Sequence, residues 1–102
     1  MPDAKEMAAL RFVNGVWLGE IPSRYGTVEL VLDGTADAPS PQHVAAIQAF
    51  MPKAGETIEG LRRQLPLAFL WRPVRVAPNS QNRVGIQFQR RILGGLEMLF
   101  AD

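Results

Sequence analysis

Thr27-Val28-Glu29-Leu30-Val31-Leu32-Asp33-Gly34, continued through Thr35-Ala36-Asp37-Ala38-Pro39 into Ser40-Pro41-Gln42-His43-Val44-Ala45-Ala46-Ile47-Gln48, sets two unlike hydrophobic periods side by side. Val28, Leu30 and Leu32 alternate with Glu29, Val31 and Asp33, which is the period of a strand, and Gly34 breaks the run. Ser40 then offers a side-chain oxygen to the amides of a first helical turn. Pro41 stands where a missing N–H costs nothing, and Val44 and Ile47 begin an apolar helical face. Strand, loop and capped helix in this order point to an α+β domain.

On the N-terminal side, Leu10–Val13 and Val16–Ile21 flank Asn14-Gly15. A two-residue type I′ turn needs positive φ at both central positions, so Asn-Gly predicts an antiparallel hairpin here. Pro22-Ser23-Arg24-Tyr25-Gly26 is a turn-rich connection to the third strand, Thr27–Asp33. Toward the C-terminus, Pro52 is expected to end or kink the first helix. A second helix resumes near Gly55, with Ile58, Leu61 and Leu65 on one face, until Pro66 closes it. Three strand-like runs follow, Phe69–Val76, Val84–Arg90 and Leu96–Ala101. They are separated by the turn compositions Ala77–Asn82 and Gly94-Gly95.

The expectation is a single domain over residues 1–102, with elements in the order βββααβββ. It comprises one mostly antiparallel sheet of about six strands with a helical hairpin packed on one face. Pro73 cannot donate to a ladder, so its strand is expected at an edge or bulged.

The 102 residues are 47% hydrophobic and 21% charged, the balance of a folded chain that buries one core. Cysteine is absent, which excludes disulfides, thiolate metal sites and cysteine nucleophiles. Met1–Phe12 carries Asp3 and Glu6 without an apolar run of signal-peptide length, and Leu67–Trp71 is too short to span a bilayer. The default expectation is a cytoplasmic protein with no membrane partner. The net charge is +1, but residues 1–52 hold three basic against six acidic side chains and residues 53–102 hold eight against four. The chain is polarised along its length.

Candidate chemistry is sparse. His43 is the sole histidine, placed in a first helical turn, where a surface or capping role is expected. Glu20, Glu29 and Asp33 could form a carboxylate pair, but on a half-exposed strand they read as charges that keep a face solvated. No nucleophile-elbow pattern surrounds Ser23, Ser40 or Ser80. Gly94-Gly95 lacks the Lys and Ser or Thr of a phosphate loop. No catalytic residue, cofactor or metal ligand is assigned, and the expectation is a protein that is not an enzyme.

Arg72, Arg75, Arg83, Arg90 and Arg91, with Trp71 and Phe88 nearby, have the ingredients of a nucleic-acid surface, although the excess charge is small for one. The same residue types are enriched at protein interface hot spots. Trp71, Arg72, Arg75 and Arg83 are therefore assigned to partner binding, converging on one exposed region. Trp17 is a further candidate, although a core role is the simpler reading.

The progression Trp17-Leu18-Gly19-Glu20-Ile21, then Val28-Glu29-Leu30-Val31-Leu32, then Pro39-Ser40-Pro41-Gln42 resembles small bacterial domains found among immunity proteins of polymorphic and contact-dependent toxin systems. The resemblance implies a second helix, a C-terminal hairpin and a function of blocking a cognate secreted toxin by occlusion. Those domains commonly carry an aromatic and an acidic-His-Gly cluster in the last hairpin, where this chain has Arg90-Arg91-Ile92-Leu93-Gly94-Gly95. The leading expectation is thus a non-catalytic protein-binding domain, compatible with a homodimer. The alternative is a nucleic-acid-binding accessory module that uses the arginine-rich C-terminal strands.

Overall fold

The computed structural model describes residues 10–101. The reading of Met1–Phe12 as free of an export signal falls, up to residue 9, outside the described residues.

Among the described residues, six strands, β1 (Arg11–Val13), β2 (Val16–Ser23), β3 (Gly26–Leu32), β4 (Trp71–Pro78), β5 (Val84–Arg90) and β6 (Leu96–Phe100), form one open mixed sheet. Their spatial order is their chain order, β1-β2-β3-β4-β5-β6. Asn14 and Gly15 take φ of 50° and 87°, as the type I′ hairpin requires, and set Val13 opposite Val16. β2 and β3 pair antiparallel, as do β4 with β5 and β5 with β6, whereas β3 and β4 run parallel.

Between β3 and β4 lie α1 (Pro41–Phe50) and α2 (Ala54–Arg62). Ser40 caps α1 as expected, its hydroxyl accepting from the His43 N–H at 3.4 Å. The expected helical hairpin does not form. Met51–Lys53 is a single 3-10 turn, so Pro41 to Arg62 is one helical run of 22 residues. Pro52 occupies the first turn of that segment, where its missing N–H is tolerated. Met51 donates its N–H to the Ile47 carbonyl and Ala54 to that of Met51, so no backbone reversal intervenes.

The buried positions His43, Ile47, Phe50, Ala54 and Ile58, with half-buried Leu61, recur every three or four residues straight through Pro52. One continuous apolar stripe therefore lies on the sheet.

The parallel pairing follows from this. A helical hairpin would return the chain to the end of the sheet where β3 exits. A single helix delivers it to the other end, so β4 must start alongside the start of β3.

The core lies between this helical run and one face of the sheet. Ile21, Val28, Leu30, Leu32, Val76, Ile86 and Phe88 supply the sheet side, and Ile47, Phe50 and Ile58 the helical side. Pro73 lies on β4, the fourth strand of six, so the strand is not an edge. The register instead slips between Pro73 and Arg75, a bulge that accommodates the missing donor.

Candidate protein-binding interface

The described helices cover one face of the sheet and leave the other bare. On the bare face, strand alternation gathers side chains into rows. Arg11 is opposite Leu18, Leu18 opposite Val31, Ala77 opposite Gly85, and Gly85 opposite Phe100. Leu30 opposite Val76 sets Val31 beside Ala77 and completes a row that is apolar from β2 to β6, with Arg11 at its β1 end. The next row is polar in its middle. It runs through Glu20, Glu29, Arg75 and Gln87 and ends at Met98.

Arg11, Leu18, Glu20, Thr27, Glu29 and Val74 line a shallow concavity of about 410 Å³ between these rows. At the far edge, β6 presents Leu96, Met98 and Phe100 on this face, 59%, 43% and 37% exposed. Gly85 makes room for two of them. A Cβ there would stand 2.9 Å from Met98 Sδ, closer than real side chains pack, and 3.0 Å from Phe100 Cε1, at the tight limit of real contacts.

The four residues assigned to binding divide between the two faces. Arg72 is opposite Gln89, and Arg75 opposite Gln87, so both arginines lie on the bare face. In a regular strand, residues three apart point to opposite faces, and the bulge at Val74 is what brings Arg72 and Arg75 together. Arg72 donates to Gln89 Oε1 at 3.4 Å. Arg75 donates to Glu29 Oε1 at 2.8 Å in a half-exposed ion pair. Arg83 lies before β5 with its guanidinium 5.4 Å from the centre of the Phe100 ring, at the β6 edge of the same face.

Trp71 corrects the expectation. It is 8% exposed, packs in the core, and donates its indole N–H to the Pro66 carbonyl at 3.0 Å. The arginines therefore do not converge around an exposed Trp71. Trp17 is half-buried against the core and donates to the Thr35 carbonyl at 2.8 Å.

Glu20 and Glu29 are opposite each other on β2 and β3. Two carboxylates placed across a strand pair repel, and the Arg75 pairing of Glu29 offsets part of that. Asp33 lies past the end of β3 and is exposed.

His43 is a second correction. It is 5% exposed, neither surface nor cap. Its Nδ1 accepts from the Asp33 N–H at 3.1 Å and its Nε2 lies 3.2 Å from the Asn79 carbonyl. The neutral ring protonated on Nε2 satisfies both partners, so His43 ties α1 to the end of β3 and to the β4–β5 turn.

A network absent from any local sequence pattern lies at the opposite end of the sheet. Glu59, on the last turn of α2, takes two hydrogen bonds from Arg62, at 2.5 and 3.2 Å, and one from the Tyr25 hydroxyl. These charge-assisted bonds favour the carboxylate, with the Arg62 bonds first and the Tyr25 bond next, and hold Glu59 down at about 2. Burial first, then the bond to Glu59, pushes the Tyr25 phenol up. Tyr25 and Glu59 are 34 residues apart, and no local spacing signals such a contact.

No group of His, Asp or Glu side chains that could hold a metal occurs among the described residues. No described helix is long and apolar enough to cross a membrane. Comparison of the chain with protein-family models, with curated proteins and with solved structures returns no match.

Proposed function

We propose that the chain is a non-catalytic protein-binding domain that acts in the cytoplasm as an immunity protein, blocking a cognate bacterial toxin by occluding its working surface. The observation that carries the reading is the bare sheet face. It has an apolar row from Leu18 to Phe100, exposed Leu96 and Met98 at its edge, and Arg72, Arg75 and Arg83 along it. Apolar contact area beside arginines is the composition of an interface centre, and a sheet that is rigid before binding loses little entropy when it docks. The sequence progression Trp17–Ile21, Val28–Leu32 and Pro39–Gln42 supports the immunity assignment within that class.

The test is co-expression with the C-terminal domain of a toxin encoded beside this chain, with survival and complex formation as readouts. Substituting Arg72, Arg75 and Arg83 together by alanine, or Met98 by glutamate, is expected to cost at least about 2 kcal/mol of affinity. The fold should be unchanged. Full affinity and protection in both variants overturns the assignment of this face. Binding to random oligonucleotides that weakens steeply with salt, with no protein complex, favours the nucleic-acid reading instead.

A further inference from the structure

The end of the sheet where β2 meets β3 and where β4 starts carries a second feature, outside the apolar rows. Arg24 and Tyr25 from the β2–β3 turn, Arg62 from the end of α2, Phe69 before β4, Arg72 and an edge of the largely buried Trp71 on β4, and Arg91 after β5 surround a cleft of about 240 Å³. Arg72 and Arg91 also line an adjoining depression with Gln89 and Arg90. Four guanidinium groups thus share one cleft. Among the described residues only Arg62 of the four has a carboxylate partner, and that partner, Glu59, is also shared with Arg63 at 3.5 Å.

Gathering like charges without counter-charges raises the local positive potential, and a bound anion relieves it. The cleft is also built. Arg62 is fixed by Glu59 and by a bond to the Ala68 carbonyl at 2.5 Å, and it lies 5.2 Å from the centre of the Tyr25 ring. Arg24 stands 5.8 Å from the same ring. Phe69, 68% exposed, adds an apolar wall.

We propose that this cleft is the docking site for an acidic segment of the protein partner, in which two or more clustered carboxylates meet Arg24, Arg72 and Arg91 while an apolar neighbour packs on Phe69 and Tyr25. Planar guanidinium forks match carboxylates two bonds at a time, and arginines with aromatic rings are what concentrate binding energy at interfaces. The inference deepens the protein-binding reading and rests on it. A protein segment fits better than nucleic acid because the positive patch is bounded. A phosphate backbone continuing along the bare face would run over the facing pair Glu20 and Glu29, whereas a short acidic segment needs only the cleft.

The experiment follows the arginine Nε–H and backbone amide signals of the whole chain by NMR during titration with hexaglutamate, a hexathymidylate oligonucleotide and inorganic phosphate. Hexaglutamate is expected to shift signals at Arg24, Arg62, Arg72 and Arg91 and to half-saturate at a lower concentration than either other probe. The double charge reversal R72E/R91E should raise its half-saturating concentration at least tenfold, and R91E alone, at an exposed position, should raise it severalfold. Tighter binding of the oligonucleotide overturns the inference in favour of nucleic acid, and equal binding of phosphate reduces the cleft to a small-anion site. No shift up to millimolar hexaglutamate overturns it outright. Toxin protection is scored separately with the bare-face variant Met98→Glu. If protection persists in R24E/R91E, which leaves the bare-face arginines in place, but fails in Met98→Glu, the cleft assignment is wrong and the protein-binding reading stands, whereas loss of neither shows that both are wrong.

Discussion

The two faces of the sheet follow opposite rules. Between the helical run and the sheet face beneath it, the large side chains at the centre are buried, and His43, the buried polar side chain among the described residues, has both ring nitrogens matched to backbone partners. On the other face, Glu20 is set against Glu29, and three large apolar side chains of β6 are left in water. One face is arranged for stability. The other keeps features that cost stability and that a bound partner would make favourable, by covering the apolar row and supplying countercharge.

Substitutions in the core should show the contrast most strongly. Phe88 is fully buried on the covered face, and Phe88→Ala should destabilise by about 3–5 kcal/mol, from lost transfer energy and the cavity left behind. Leu18→Ala on the bare face should cost under about 1 kcal/mol, because that side chain is only half-buried there. Chemical denaturation of both variants measures the difference, and similar midpoints would break the division between the faces.

His43→Leu should cost about 1–3 kcal/mol, since it removes the partner of the Asp33 N–H and of the Asn79 carbonyl at a part-buried site. The same denaturation series checks it. A loss no larger than that of an exposed site would show that water replaces both bonds.

Glu59→Gln should cost about 1–2 kcal/mol at neutral pH, a figure reduced because the pair is partly in contact with solvent. The folded-state value of Glu59 is depressed from 4.5 to about 2, so its contribution is complete above about 4.5 and lost as pH falls through about 2. Wild-type stability should therefore decline over that window more steeply than the variant's. Parallel acid titration curves would show that Arg62 and Tyr25 hold Glu59 only weakly.

The smallest effect is expected at Arg75. Its ion pair with Glu29 is 49% and 41% exposed, so Arg75→Ala should change stability by less than about 1 kcal/mol while lowering partner affinity. A large stability loss would place Arg75 among the residues that hold the fold, and the contrast between the faces would blur at that row.

Much of this was legible locally. The Asn14-Gly15 turn, the cap at Ser40, the alternation of Val28, Leu30 and Leu32, and that of Val84, Ile86 and Phe88, are properties of adjacent residues and of one strand or one helical turn. The continuity of the helix was also present in the sequence, because the spacing from His43 through Ile47, Phe50, Ala54 and Ile58 to Leu61 keeps one phase across Pro52. A proline in the first turn of a 3-10 segment does not interrupt such a stripe, whereas a hairpin would have no reason to preserve it.

The ingredients of the candidate surface are local: where arginines and apolar residues alternate, and the absence of cysteine chemistry. Which of them meet depends on packing. The single helical crossing made β4 parallel to β3 and so placed Arg75 beside Glu29. The bulge at Val74 turned Arg72 and Arg75 to one face while Trp71 went into the core, and the closure of the sheet end brought Tyr25 to Glu59 and Arg62. Strand direction, a one-residue slip of register and contacts across 34 residues depend on how whole elements are packed, and local periodicity carries no record of them.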